Sequence, residues 1–401
     1  MKIGKFFLKK KYNILIIQPI GSFSGSLKSL ENYIKHIYKK YNFIFLTQRG
    51  FSANILNKYG KVYKSFGIPK FDNTLNSHYS GIRWLLLIRE FFFIPFAVYN
   101  LLRIKHSIKN LDLIHLNEIT GIPTAIIAKF IFDKPLIVHV RSLNNLKKKL
   151  TSKFFLKILY RFADKILVID KEVLKTLKSK KKCTIVRNIL DIKIKNSKLN
   201  LNSEYLYVGY IGTFLKYKGV EKLIEAVEDL VRKNYKIKLI LAGSILKRNT
   251  FFSKIFEILN LENNIDTKIL NQKFIINLGF LKNINKFYKK IHILCFPSSL
   301  NAAGRQIFEA GFFSKPVIIC LKKNSDTFIN NFNGIAYKNF NSVNQLQKSI
   351  IYFYKNKKLI NKMGINGRKM AVKNHSKDFN IKKMTSIYNN LINNVHHSIK
   401  K

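Results

Sequence analysis

Acidic residues are scarce in this chain of 401 residues: 21 Asp and Glu stand against 73 Lys and Arg, a formal net charge of +52. That balance points to anionic partners, whether nucleic acid, acidic lipid headgroups or phosphorylated substrates. Cysteine is nearly absent. Cys183, Cys295 and Cys320 make no disulfide framework, and two of them lie in apolar strand-like runs where Cys acts as a small hydrophobe. A reducing compartment is the expectation. No His, Cys or carboxylate spacing fits a metal site, and no Asp-x-Asp pair occurs. Repeats at solenoid periods are missing, which excludes that architecture. The opening MKIGKFFLKKKYN lacks a sustained apolar core and a small-residue cleavage site, so it does not read as a signal peptide. Only Ile82–Ile104 has the length of a membrane span, but Arg89 and Glu90 lie inside it and Pro95 interrupts it. A helix packed inside the first domain is the expectation. A helix lying in the membrane interface, with Arg83, Trp84 and Arg103 near its ends, ranks second.

Apolar residues make up 47% of the chain, enough for two cores, and its length suits two domains. The pattern is an alternation of short apolar runs and amphipathic stretches, which predicts paired Rossmann-like α/β domains. NILIIQ reads as a buried strand, GSFSGS as a βα loop with Gly21 and Gly25, and a helix follows from about Leu27 to Lys39. NFIFLT is a second strand, and residues 48–81 read as polar and irregular. LDLIHLNEITGIP is a strand with Asn117 and Glu118 at its carboxyl end, where ligands gather in open α/β sheets. His115, inside that apolar strand, reads as a hydrogen-bonded core residue. KPLIVHVRSL places Arg141 at the end of the next strand, as a permanent cation suited to a phosphate or carboxylate. A basic helix is expected from Leu146, and KIKNSKLNLNSE reads as a linker. Beyond it, EYLYVGYIGTFLKYKGVEKLIEAVEDL gives strand, glycine-bounded loop and helix, with Leu223, Ile224, Val227 and Leu230 on one face.

The stretch IHILCFPSSLNAAGRQIFEAGFFSKPVII (Ile291–Ile319) reads as strand, small-residue loop, helix and strand. Such a loop sets free N–H groups and a helix dipole where an anion can bind. Glu309 lies one turn into the helix, placed to accept from a sugar hydroxyl, and Arg305 could add charge against a phosphate. Spacing alone leaves an ordinary βαβ unit equally open.

Pro297, Ser298, Gly304, Glu309, Ala310, Pro316 and Val317 fall in register with a known pattern. The segment resembles the donor-binding element of retaining glycosyltransferases of family 4. Upstream, Gly212, Lys218 and Gly219 match that family's Gly-Arg-x-x-x-x-Lys-Gly element, with Thr213 in the Arg position. His115 and Asn117 fall on its His-x-His, and Val186, Asn188 and Asp191 on the exit from its first domain. Asn301 replaces the first Glu of the family's Glu pair. The resemblance implies a GT-B fold, with two parallel sheets facing a central cleft. It implies an acceptor-binding domain over 1–195, a nucleotide-sugar domain over 196–378, and a final helix over 379–401 that crosses back to the first domain. It further implies retaining transfer of a sugar to a glycan or lipid-linked acceptor in surface polysaccharide biosynthesis.

In that reading Glu309 takes the ribose hydroxyls, and Lys218 and Arg305 hold the diphosphate together with backbone N–H groups near Ala303 and Gly304. Gly212, Thr213 and Asn301 line the donor, and Gly279 lies by the nucleobase. Gly21, Gly25, Asn117, Glu118 and Arg141 face the acceptor. The nucleotide-sugar is a substrate, and neither cofactor nor metal is expected. The expected location is cytoplasmic, peripheral on an anionic membrane. Two other readings stay open. A nucleic-acid-binding protein would follow from the charge, but no basic stripe with exposed aromatics and no known module appears, so nucleic acid is not an expected partner. A nucleotide-sugar epimerase or non-catalytic relative would follow from Asn301 and Thr213.

Overall fold

The computed structural model describes residues 11–74, 86–145, 149–177, 179–191, 203–245 and 265–399. They divide into two compact units, Met1–Asp191 with Lys377–Lys401, and Ile192–Ser376. Arg83 and Trp84, the start of the helix expected at Leu146, and most of the expected linker lie outside the described residues.

The first unit holds a parallel sheet of β1 (Asn13–Gln18), β2 (Asn42–Gln48), β3 (Gly60–Ser65), β4 (Leu113–Leu116), β5 (Leu136–Val140), β6 (Lys165–Val168) and β7 (Cys183–Ile185). The strand order is β3-β2-β1-β4-β5-β6-β7. Its helices are α1 (Gly25–Ile37), α2 (Phe51–Leu56), α3 (Leu86–Phe92), α4 (Ile94–Ser107), α5 (Ile122–Phe132), α6 (Lys149–Phe162) and α7 (Lys171–Lys175). Ile14, Leu15, Ile16 and Ile17 are all fully buried, as both faces of a parallel sheet demand. Ser24 caps α1, its hydroxyl accepting from Leu27 N at 3.2 Å.

The second unit holds β8 (Leu206–Ile211), β9 (Ile237–Ala242), β10 (Ile275–Asn277), β11 (Ile293–Phe296), β12 (Val317–Cys320) and β13 (Gly334–Tyr337), in the order β10-β9-β8-β11-β12-β13. Its described helices are α8 (Val220–Arg232), α9 (Asn285–Tyr288), α10 (Arg305–Phe312), α11 (Val343–Lys355) and α12 (Lys357–His375). Along α8, Val220, Leu223, Ile224, Val227 and Leu230 form the buried stripe. Each such side chain contributes about 1.5–3 kcal/mol by leaving water.

The last helix, α13 (Lys377–Ile399), belongs to the first unit. Met384, Tyr388 and Ile392 recur every four residues and enter the same core cluster as Tyr33, Ile34 and Phe43. The Tyr388 hydroxyl lies 2.6 Å from His115 Nδ1, which makes His115 a hydrogen-bonded core residue.

Two sequence expectations need correction. Residues 48–81, expected to be irregular, contain α2 and β3. The edge strand β3 buries Tyr63 and Ser65 while Lys61 and Lys64 stay exposed, so it shows no continuous apolar run. Of the stretch expected as one helix over 82–104, the described part, residues 86–104, forms two helices, interrupted at Phe93, with Pro95 in the first turn of α4. Proline is tolerated there but would break a continuous helix. Only one side of the pair is buried, through Ala97, Asn100, Leu101 and Ile104 of α4 and Glu90 of α3.

Helices α10 and α12 approach through glycine. A Cβ on Gly311 would lie 2.6 Å from the Gly367 carbonyl oxygen, and one on Gly364 would lie 2.0 Å from that of Ser314. Gly364→Val should therefore lower stability by about 1–3 kcal/mol through overpacking. Thermal unfolding would show a clear drop in Tm, and an unchanged Tm would mean that the helices do not pack this closely.

Candidate active site

In each sheet the strand order turns at the first strand: between β1 and β4 in the first unit, and between β8 and β11 in the second. Loops leaving the carboxyl ends of strands at such a point diverge and leave room for a ligand. The motif residues collect at these two points, one in each unit.

In the second unit, β8 runs into Gly212 (φ 155°), then a 3₁₀ turn over Lys216–Lys218, then Gly219 (φ 76°), which precedes α8. Gly219 is obligatory: a Cβ there would sit 2.1 Å from the Pro297 carbonyl oxygen, and its φ disfavours other residues. Ser299 fastens the same loops together, its N–H and Oγ–H donating to the Tyr217 carbonyl at 3.0 and 3.2 Å. Lys218 is thereby held over two rings, with Nζ 5.3 Å from the Tyr217 centroid and 5.7 Å from that of Phe296. The lysine is half-buried, and burial lowers its pKa. No carboxylate pairs with it among the described residues. Phe296 in turn reaches Gly304, where a Cβ would lie 2.8 Å from the ring. Gly304 precedes α10, whose N-terminus has no side-chain cap, and Ala303 beside it is half-buried. An aromatic-backed ammonium and uncapped helix N–H groups thus share one ring as neighbour, an arrangement that suits an anion.

One turn into α10, Glu309 is buried. Arg305 Nε donates to its Oε1 at 2.5 Å, and the Tyr288 hydroxyl donates to its Oε2 at 3.3 Å. Burial, the Glu309 charge and this bond together push the Tyr288 pKa well up, so the phenol stays neutral. Arg305, expected to face a phosphate, has its Nε engaged by Glu309. The i, i+4 spacing was the signal for this pair. The two carboxyl oxygens of Glu309 have acceptor positions beyond these two bonds. Asn301 is exposed with φ 49°, and its Oδ1 accepts from Lys322 N at 2.7 Å. Its carbonyl oxygen is thus committed to the chain.

Three glycines stack at the strand ends. A Cβ on Gly243 would lie 1.8 Å from the Gly212 carbonyl oxygen, and Gly243 N donates to the Gly279 carbonyl at 2.8 Å. Open space surrounds Gly279 (φ 62°). The Thr213 carbonyl accepts from the Tyr210 hydroxyl at 2.8 Å. Sequence reasoning missed Tyr217, Tyr288, Phe296 and Gln306. Gln306 Nε2 would lie 3.5 Å from a Cβ on Gly212. No motif marks these residues, since what matters is their position around the charged groups.

In the first unit, Gly21 lies under strand β2's exit: a Cβ would meet the Arg49 carbonyl oxygen at 2.8 Å, whereas Gly25 opens α1 into unoccupied space. Asn117 is fully buried, its Nδ2 donating to Gln18 Oε1 at 2.6 Å. Arg141, expected to meet a ligand, donates from Nε and Nη2 to Asn117 Oδ1 (3.1 and 2.9 Å) and from Nη1 to Asn188 Oδ1 (2.7 Å). Its Nη2 also meets His139 Nδ1 at 3.1 Å, and since arginine only donates, that nitrogen accepts. Burial, then Arg141, lowers the His139 pKa well below the usual range and that of His115 to about 3. Both imidazoles are neutral. Glu118 is buried, and its Oε1 accepts from Ile119 N at 3.0 Å. Burial, partly offset by Arg141, pushes its pKa up to about 7. Among the described residues no group of three His, Cys, Asp or Glu could hold a metal.

Comparison with known proteins first gives a class. Over 93% of this chain the fold superposes on 98% of Anabaena HepE in complex with UDP and glucose, with a TM-score of 0.71 at 17% identity. A point mutant of Staphylococcus aureus TarM, in complex with fondaparinux, α-GlcNAc-glycerol and UDP, superposes over 94% of this chain and 100% of its own, with a TM-score of 0.65 at 14% identity. The fold is therefore GT-B, and the chain is a glycosyltransferase. More particularly, residues 191–370 match the model of Glycosyl transferases group 1, and that segment is a domain of this kind. An uncharacterised glycosyltransferase of Methanocaldococcus jannaschii is 24% identical over 282 residues, 66% of this chain and 72% of that protein. The capsular polysaccharide biosynthesis glycosyltransferase CapM of S. aureus is 25% identical over 198 residues, 48% of each chain.

Glu118 gives a pH test of this geometry. Its folded pKa lies above the usual 4.5, so the folded state holds a proton that the unfolded state releases. The contribution is full below about 4.5 and is lost as pH rises towards about 7, a change on the order of 3 kcal/mol. Urea unfolding from pH 4.5 to 7.5 should show this fall in the parent and a flatter profile in Glu118→Gln; parallel profiles would refute the burial of this carboxyl.

Proposed function

We propose that this enzyme is a retaining transferase of the family 4 kind. It moves a sugar from a nucleoside-diphosphate donor to a glycan or lipid-linked acceptor in surface polysaccharide assembly. The observation that carries the reading is Lys218: a half-buried ammonium with aromatic neighbours and no carboxylate partner among the described residues, next to the ring that packs on Gly304. A cation left uncompensated in that place is stabilised by an anionic ligand. The capsular role is supported by the likeness to CapM, and a uridine diphosphate donor by the UDP bound in HepE and TarM.

Chemistry follows from the charges. As the glycosidic bond breaks, negative charge gathers on the leaving diphosphate. Lys218 and the backbone N–H groups at Gly304 and Arg305 meet it, and each pre-placed donor contributes about 3–4 kcal/mol to the transition state. Protein cations then do what a divalent ion does in other transferases. Glu309, held by Arg305 and Tyr288, presents its remaining lone pairs to the ribose hydroxyls. Arg305 thus acts through Glu309 as a positioning residue. The leaving phosphate itself takes the acceptor proton, so no side-chain base is required. Gly25, with open space above it, and the network of Asn117, Glu118 and Arg141 lie on the acceptor side.

Calorimetry with UDP tests the reading. Lys218→Met should weaken UDP binding about 10- to 100-fold with Tm unchanged. Glu309→Gln, which keeps the size of the side chain but replaces one acceptor oxygen with a donor and removes the charge, should lower kcat/KM for sugar transfer at least about tenfold. Parental UDP affinity in Lys218→Met would overturn the central assignment.

A further inference from the structure

The loop between β11 and α10 is fastened at two points around Lys218. Ser299 N donates to the Tyr217 carbonyl at 3.0 Å, and the ring of Phe296 packs on Gly304. Between these anchors stands Asn301, exposed and with φ 49°. Its Oδ1 accepts from Lys322 N at 2.7 Å. A backbone N–H only donates, so this tether fixes which end of the amide is oxygen. The other end, Nδ2, makes no hydrogen bond among the described residues and carries two donors and no acceptor.

The surroundings are cationic. From Ile291 to Lys323 the sequence holds one acid, Glu309, against Arg305, Lys315, Lys322 and Lys323. Glu309 is paired with Arg305, and Lys315 is buried, its Nζ donating to the Ile291 carbonyl at 2.7 Å. Lys322 and Lys323 are exposed, and neither forms an ion pair among the described residues. The next acid, Asp326, stands beyond them, and its carbonyl accepts from Asn374 Nδ2 of α12 at 2.7 Å. A carboxylate in the place of Asn301 would bind hydroxyl groups and repel an anion. An amide N–H group with ammonium groups near it has no such repulsion, and a carboxylate is the partner that gains most from it through charge-assisted bonds.

We propose that the donor sugar is a hexuronic acid, whose carboxylate meets Asn301 Nδ2 while Lys322 and Lys323 supply charge. Asn301 lies at most about 11 Å of chain from Gly304, short enough for a sugar joined to a diphosphate held there. A neutral hexose would give the two ammonium groups nothing to pair with. The inference rests on the sugar-transfer reading and adds its substrate class.

The test is calorimetry of the full chain near physiological salt with three probes: UDP-glucuronic acid, UDP-glucose and UDP. The parent should bind UDP-glucuronic acid about tenfold or more tighter than UDP-glucose, and this ratio should shrink as salt is raised. Asn301→Asp keeps an oxygen for Lys322 N and a residue type that tolerates positive φ, so the loop holds its course. It replaces the N–H donors with an anionic oxygen, and the ratio should fall to about one or below. Lys322→Gln with Lys323→Gln should lower the ratio about threefold. Each ratio compares two sugars in one protein, so a general loss of affinity cancels. A parent that binds UDP yet holds the two sugars equally, or a ratio that Asn301→Asp leaves unmoved, would overturn this inference while the sugar-transfer reading stands. A parent that binds none of the three probes would overturn both.

Discussion

The close approach of Gly219 to the Pro297 carbonyl is the constraint on which the geometry of the candidate site in the second unit rests. It brings the loop after β8 against the loop after β11 at the point where the strand order turns. No side chain fits between them. Once the loops touch, Ser299 reaches the Tyr217 carbonyl, Lys218 lies over Tyr217 and Phe296, and Phe296 packs on the residue before α10. One close backbone approach thus sets an ammonium beside an uncapped helix terminus, and the sheet topology provides the room around it.

The two units use their cations in opposite ways. Arg141 is consumed by the fold: Asn117, Asn188 and His139 take its donors, and its charge helps keep two buried imidazoles neutral. Lys218 meets only rings among the interactions described. Arg305 is intermediate, neutralised by Glu309 in a buried pair that orders the carboxylate. Removing one member of such a pair costs more than the pair contributes, because the other charge stays buried. The same logic explains why Tyr288 matters: it satisfies a second lone pair of a carboxylate that water reaches poorly.

Much of the fold was legible because parallel strands buried on both faces read as unbroken apolar runs, as in NILIIQ, LIVHV and VIIC. β3 was not legible, since an edge strand carries Lys61 and Lys64 outward and loses that signature. The α3–α4 break was signalled by Pro95, yet periodicity alone could not tell which face meets the core, because both faces are apolar. Of the site, the glycines and Lys218 could be read from motif spacing. Tyr288 and Phe296 could not, because their role arises from proximity to residues far away in the chain.

By itself the sequence determined the strand–helix alternation, the parallel class of both sheets and the positions where backbone must pass close to backbone. These are local matters of hydrophobic period and glycine geometry. The tertiary structure decided which charges are paired inside the protein and which, like that of Lys218, have no carboxylate partner among the described residues. A side chain's electrostatic fate depends on burial and on neighbours brought together by folding, as when α13 carries Tyr388 to His115 across 273 positions of sequence.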